Sequence, residues 1–319
     1  MTAVFHAVGN YAEELSERFG AGWNTFWYQP TNPFTLCLLR ILVGLLVLYW
    51  HLSFTWDLVE WFGPQGLVPL EMIQAVRPGS KLSLLDRAAT PADLWVFHWL
   101  GAAAIGCFLL GFFTRVATVA TLVVFLSYVH RGPMINGQAE PILSMLLLYL
   151  VIAPAGNYLS LDRLLRRARG KLPREGEPEE FVTATIATRL IQIHLAGFYL
   201  LMGLTKLGGE AWWNGLALWW LIARPDSRWW DFSFLAGHEY AWNLWTHLTV
   251  AFELLFPVLI WNRLARPLLL VAAVLVYVPL AMVTGLTLFF ATLLVANLAY
   301  VSSATLRSLV GNTTASKAA

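Results

Sequence analysis

Long apolar runs are the feature that most constrains the fold of this chain. Lipid hydrocarbon offers no partner for backbone N–H and C=O groups, so a membrane-spanning segment is a helix of roughly 20 mostly apolar residues. About eight runs in the sequence approach this requirement. They predict transmembrane helices over residues 33–55, 92–111, 114–130, 141–154, 182–206, 240–261, 267–283 and 285–301.

The composition agrees with a membrane protein. Hydrophobic residues make up 58% of the 319 residues and charged residues 13%, whereas soluble domains carry about 25% charged residues. The formal net charge of +2 comes from basic residues scattered in short connectors, which gives no support for nucleic-acid binding. The predicted fold class is therefore an all-α, polytopic bundle of about eight transmembrane helices.

Basic residues also predict the orientation of the bundle. Positively charged residues in short loops favour the cytoplasmic side. The connector between the fourth and fifth runs carries the largest group: Arg163, Arg166, Arg167, Arg169, Lys171 and Arg174. If this connector is cytoplasmic, alternation places both termini of a multi-pass cell-membrane protein in the cytoplasm.

Three regions follow from this topology. Residues 1–31 form an amphipathic segment, predicted as an interfacial helix, residues 32–301 the transmembrane domain, and residues 302–319 a cytoplasmic tail. The outer loop over residues 207–239 contains six tryptophans, including Trp212 and Trp213. Tryptophan favours the headgroup level, so this loop is predicted to be re-entrant or interfacial.

Ionisable residues inside apolar runs are the first candidates for function, because burying them in a membrane is costly. Lys206 ends the fifth run just before the tryptophan-rich loop. It could extend its ammonium to the headgroups; alternatively, desolvation under the loop would disfavour the charged form and let it take a proton from a bound acid. Glu253 lies deep in the sixth run and needs a partner or a proton.

Other polar residues share the side or the helix face of Lys206. Gln192, Tyr199 and Lys206 are spaced by seven, which places them along one face of a helix. His130 and Glu140 flank the turn between the third and fourth runs, on the same predicted side as Lys206. Interfacial hydrogen bonding is the simpler interpretation of these two, and orientation of Lys206 in a shared site is the functional one. No histidine, cysteine or carboxylate spacing indicates a metal site.

Three segments together resemble the HTTM (horizontally transferred transmembrane domain) family, which is related to vitamin K-dependent gamma-carboxylase. They are Asn32-Pro33 with 39–44 (LRILVG), His130-Arg131 with Asn136-Gly137, and 203–207 (GLTKL). The similarity covers roughly residues 32–301. It implies the same helical bundle and a reaction on a lipophilic reduced quinone, such as vitamin K hydroquinone or menaquinol.

The resemblance places Lys206 at the lysine that deprotonates the hydroquinone, with His130 or Glu140 orienting it. Tyr199, Trp212, Trp213 and Tyr277 would then contact the quinone. Relatives carry a histidine near the position of Tyr277, so a proton relay through that residue would be altered. The carboxylase holds its protein substrate with a large lumenal region, and the sequence here stops soon after its last predicted span. We therefore expect quinol oxidation or epoxidation in preference to glutamate carboxylation.

Two other classes of function stay open. One is a non-catalytic protein that binds or transports a lipid or small molecule, for which Arg40, Arg189, His194 and Glu253 could form a polar path. The other is a membrane anchor or partner subunit. Burial of Lys206 separates the enzyme from both, because a base needs a desolvated pocket.

Overall fold

The computed structural model describes residues 2–76, 83–171, 179–223, 234 and 237–315. Within these ranges the chain is helical and contains no β-strand. One isolated antiparallel bridge joins Thr31 to Phe181, with N···O distances of 3.0 and 3.3 Å. The all-helical fold class predicted from the sequence is confirmed.

Helices coincide with all eight predicted spans, and shorter helices connect them. In chain order they are α1 (Thr2–Tyr28), α2 (Phe34–Ser53), α3 (Leu58–Phe62), α4 (Leu70–Val76), α5 (Pro91–Leu110), α6 (Thr114–Arg131), α7 (Ala139–Ile152), α8 (Leu161–Ala168), α9 (Val182–Leu207), α10 (Glu210–Trp213), α11 (Ala217–Ile222), α12 (Glu239–Leu259), α13 (Ala265–Thr284), α14 (Thr287–Asn297) and α15 (Ser303–Ala315). Short 3-10 turns occupy Leu84–Arg87 and Leu298–Tyr300.

Four of these helices, α2, α5, α9 and α13, are long and apolar enough to cross a membrane. A fifth span results if α14 and its 3-10 turn are joined to α15, from which they are bent by 111°. Helix α7 is apolar but has 14 residues, and α6 and α12 are long enough but fall short in hydropathy. Length and composition therefore support four or five spans, and the count of about eight stays a prediction.

The helices pack as two neighbouring groups. Helices α2, α5, α6 and α7 contact one another in the first, and α9, α12, α13 and α14 in the second. Helix α7 also contacts α9, and α14 contacts both α2 and α7, so the two groups share one apolar core. Helix α1, which begins the chain as predicted, packs against α9.

Two glycines allow close approaches that shape the bundle. At Gly203 in α9, an added Cβ would lie 2.7 Å from Cδ2 of Leu254, so its absence lets α9 and α12 come close together. Gly111 ends α5 with a φ of 69°, a left-handed conformation that favours glycine. Arg40 of α2 occupies the space beside Gly111, fully buried, and donates to the carbonyls of Ala155 and Leu159.

The outward faces of the helices are apolar as well. Large aliphatic side chains on several helices are more than half exposed, including Leu100, Val116, Leu201, Val258, Leu268 and Leu275. Water-soluble proteins seldom expose large continuous apolar surfaces. The bundle is thus apolar outside and polar at selected points inside.

Candidate functional site

Lys206 and Glu253 form an ion pair between α9 and α12. The Lys206 Nζ lies 2.6 Å from Oε2 and 2.9 Å from Oε1 of Glu253. The close helix approach at Gly203, one turn before Lys206, brings the two side chains together. Of the two alternatives predicted for Glu253, a partner or a proton, the structure shows a partner.

The two members of the pair differ in their exposure. The Glu253 side chain is 1% exposed and the Lys206 side chain 16%. The ammonium therefore lies between the carboxylate and the surroundings of the bundle, and a small molecule would reach the pair from the lysine side.

The tryptophan-rich segment begins directly over this pair. The turn at Gly208 and Gly209 leads into α10, and the ring of Trp212 lies 5.1 Å from Nζ of Lys206, within cation–π range. Trp213 is largely exposed and donates from Nε1 to the Leu207 carbonyl at 2.6 Å. Of the two predicted quinone contacts in this segment, Trp212 is therefore at the ion pair and Trp213 is turned outward.

The segment is fixed to α12 by hydrogen bonds. Thr246 donates to the Gly215 carbonyl at 3.0 Å, and His247 Nε2 lies 3.2 Å from the carbonyl oxygen of Trp213. The predicted interfacial or re-entrant loop is helical in α10 and α11. Residues 224–233, with Trp229 and Trp230, lie outside the described residues.

Tyr199 and Tyr277 lie deeper in the bundle and are fully buried. The ring of Tyr199 stacks on Phe256 with a centroid distance of 4.0 Å, and the ring of Tyr277 is 6.0 Å from that of Tyr199. Asn297 of α14 donates to the Tyr199 hydroxyl at 2.8 Å. The Tyr277 hydroxyl has no hydrogen-bond partner in the described part of the chain.

Glu140 and His130 are placed at the turn between α6 and α7. The Glu140 carboxylate accepts hydrogen bonds from Trp50 Nε1 and from the Gly137 N–H, both at 2.9 Å. His130 is half-buried at the end of α6. The contacts of Glu140 thus hold the turn against α2, and the carboxylate bonded to Lys206 is that of Glu253.

The basic residues proposed for a polar path differ in their surroundings. Arg40 is enclosed near Gly111, as described above, while His194 faces outward and lies 3.1 Å from the Tyr149 hydroxyl. Arg189 is half-buried and donates to Phe26 and Gln192 at 3.2 and 2.9 Å. Of this set, Arg189 shares the inner face of α9 through its bond to buried Gln192.

A histidine pair that the sequence analysis did not single out is buried between α2 and α5. The rings of His51 and His98 stack 4.3 Å apart, and His98 Nδ1 lies 2.9 Å from the Tyr128 hydroxyl. Thr55 lies 3.0 Å from the other ring nitrogen of His98. Both histidines fall inside predicted spans, which was the available signal. The described residues hold no group of three or more potential metal ligands.

Comparison of the chain with protein-family models, curated proteins and solved structures finds no match.

Proposed function

We propose that the chain is a multi-pass membrane protein of about eight spans with both termini in the cytoplasm. The apolar outward faces of the long helices support this placement. Helix α1 adds a further apolar face, on which Tyr11, Leu15 and Phe19 are exposed at helical spacing. Such a face suits an interfacial helix, as the sequence predicted.

We further propose that the Lys206–Glu253 pair is the reactive site of an HTTM-like enzyme acting on a reduced quinone. The observation that carries this proposal is a buried carboxylate whose ammonium partner is partly accessible beneath an aromatic ring. Burying an ion pair in a helical bundle carries a desolvation penalty that apolar residues at the same positions would avoid. The presence of the pair therefore favours a functional role.

The surrounding residues fit an aromatic, lipophilic ligand with hydroxyl groups. Trp212 offers a ring face at the ammonium, and the Tyr277 hydroxyl is a buried polar atom that accepts or donates no hydrogen bond among the described residues. Apolar helix faces around the site would admit such a ligand from the lipid. A reduced quinone supplies, when bound, two electrons and the protons of its hydroxyls.

The ion pair defines what the protein can contribute to that chemistry. In the resting pair we assign the positive charge to Lys206, because an adjacent carboxylate favours the ammonium form. Because Nζ lies on the accessible side of the pair, the ammonium would pass a proton to Oε1 or Oε2 of Glu253 as Nζ takes one from the ligand hydroxyl. The restored ammonium would then stabilise the negative charge left on the ligand oxygen. The base predicted as Lys206, oriented by His130 or Glu140, becomes in this proposal the Lys206–Glu253 pair acting together.

The test is oxygen consumption by the detergent-purified protein supplied with reduced menaquinone or vitamin K hydroquinone. We expect turnover that is lost in Lys206→Ala and in Glu253→Gln. Lys171→Ala is the matched control, because Lys171 is an exposed lysine of the connector after α8. No quinol-dependent consumption by folded wild-type protein, or equal rates in all variants, would contradict the proposal.

A second candidate is binding or transport of a small molecule without a reaction. It is favoured by the polar face of α9, which continues from Lys206 through Tyr199 to Gln192 and Arg189. Near its far end, a cavity of about 330 Å³ is lined by Arg189, Arg266 and Gln192. Ligand binding that depends on Lys206, in protein that consumes no oxygen, would select this function.

A further inference from the structure

A second polar cavity, far along the chain from Lys206, lies beside α8. It has a volume of about 530 Å³ and is bordered by the start of α6 and the end of α7. Three arginines line it, Arg115, Arg166 and Arg169, together with the carboxylate of Asp162. The charged lining is therefore positive in balance.

The Asp162 carboxylate accepts hydrogen bonds from the first turn of α6. Its carboxylate accepts from the N–H groups of Phe113 and Thr114 at 2.9 and 2.8 Å and from the Thr114 hydroxyl at 2.6 Å. Burial by itself would raise the pKa of Asp162, but these hydrogen bonds outweigh burial and the pKa is lowered. The carboxylate thus stays ionised and its oxygen atoms are largely occupied.

The three arginines differ in how many hydrogen bonds their side chains form within the protein. Arg166 donates to the carbonyl of Gly156 at 2.9 Å and to that of Asp162 at 3.4 Å. The side chains of Arg115 and Arg169 are exposed and form no hydrogen bond or ion pair with the described part of the chain. Two guanidinium groups at the cavity therefore remain available to an anion.

The same cavity has apolar walls that are open to the outside. Val116 of α6 is 70% exposed, and Leu165 of α8 is 42% exposed. Leu161 and Leu164 are also exposed, and their spacing with Leu165 gives α8 one apolar face. A short helix with an exposed leucine face and several arginines suits the interface between headgroups and acyl chains.

We propose that this cavity binds the phosphate of an anionic lipid headgroup. Arg115 and Arg169 contact the phosphate, while the acyl chains lie along Val116 and Leu165. Guanidinium groups form strong charge-assisted hydrogen bonds with phosphate oxygens, and basic pockets between transmembrane helices favour anionic headgroups. The apolar wall favours a lipid over free phosphate. The inference rests on the proposed membrane placement and is independent of the reaction proposed for Lys206.

The test uses the full-length protein in a neutral detergent and a fluorescent phosphatidylglycerol analogue. The site variant is Arg115→Gln/Arg169→Gln. The matched control is Arg167→Gln/Arg263→Gln, which removes the same charge from two exposed arginines that do not line the cavity. Unlabelled phosphatidylglycerol, phosphatidylcholine and inorganic phosphate serve as competitors, and size-exclusion profiles check that both variants are folded.

We expect the site variant to bind the probe about tenfold more weakly than wild type, with the control within about twofold. Phosphatidylglycerol should displace the probe better than phosphatidylcholine. Equal weakening in both variants would indicate diffuse attraction and overturn the site. Full displacement by inorganic phosphate, at the concentration at which phosphatidylglycerol acts, would overturn the lipid assignment. Loss of lipid binding with unchanged oxygen consumption would separate this site from the ion pair.

Discussion

Replacing Lys206 by methionine should destabilise the protein more than replacing Glu253 by glutamine. Methionine keeps much of the aliphatic volume of lysine but leaves the Glu253 carboxylate, 1% exposed, without its ammonium. Glutamine at 253 leaves the Lys206 ammonium 16% exposed and still near the Trp212 ring. The charge that remains is therefore a buried carboxylate in Lys206→Met and a partly accessible ammonium in Glu253→Gln.

The expected magnitudes follow from this difference in burial. Removing one partner of a buried ion pair typically costs about 3–5 kcal/mol, and Lys206→Met should fall in that range. Glu253→Gln should cost about 1–3 kcal/mol, as for a buried polar group that loses a bond. The double variant Lys206→Met/Glu253→Leu leaves no uncompensated charge and should lie within about 1–2 kcal/mol of wild type.

The assay is the free energy of unfolding in mixed detergent micelles, measured for the wild type, the three single variants Lys206→Met, Glu253→Gln and Glu253→Leu, and the double variant. The cost of the double variant should fall short of the sum of Lys206→Met and Glu253→Leu by at least about 2 kcal/mol. Lys206→Met should also recover part of its lost free energy of unfolding in acid, where the unpaired Glu253 carboxylate can take up a proton. Additive costs, or a larger loss in Glu253→Gln than in Lys206→Met, would refute the reasoning.

Three further predictions concern other sites. The folded-state pKa of Asp162 is lowered. The ionised carboxylate therefore stabilises the fold above the unfolded pKa of about 3.9, and this stabilisation is lost as the pH falls through the folded value. Asp162→Asn should lower the unfolding temperature at neutral pH, and the unfolding temperatures of variant and wild type should converge in acid. Gly203→Val should separate α9 from α12 and abolish the oxygen consumption proposed for the ion pair. Gly197→Val on the same helix, where an added side chain meets open space, should retain that activity. Equal activities of the two variants would show that the close approach of α9 and α12 is not needed. Glu140→Gln places an amide where two donors converge and should cost about 1–3 kcal/mol. Any loss of activity should follow the loss of folded protein, and a folded but inactive variant would instead support the catalytic role predicted from the sequence.

The helices could be predicted from the sequence because their limits are set locally. Apolar runs and the turns between them determine where each helix begins and ends, and α5 is a clear case. Its start at Pro91 is capped by Thr90 and Asp93, and its end is the left-handed Gly111. The predicted run over residues 92–111 differs from α5 by one residue at each end.

The partner of Glu253 could not be predicted from the sequence in the same way. The requirement for a partner follows from burial alone, which is a property of one helix. The identity of that partner depends on the depth and rotation of α9 against α12, and Lys206 is 47 positions away in the chain. The same holds for His51 and His98, whose ring stacking depends on how α2 and α5 cross.

The ion pair also changes how a lysine in such a bundle should be interpreted. A solitary desolvated lysine becomes a base because burial removes its charge. A carboxylate lies 2.6 Å from Nζ, and an opposite charge favours the ammonium form, so our proposal assigns the positive charge to Lys206 and the accepting oxygen to Glu253. The pair as a unit can gain one proton, and it does so most readily when a ligand brings both an acidic hydroxyl and a site for the resulting negative charge next to the ammonium. In this proposal the partial exposure of Lys206 allows that approach, and the burial of Glu253 excludes competing water from the accepting oxygen.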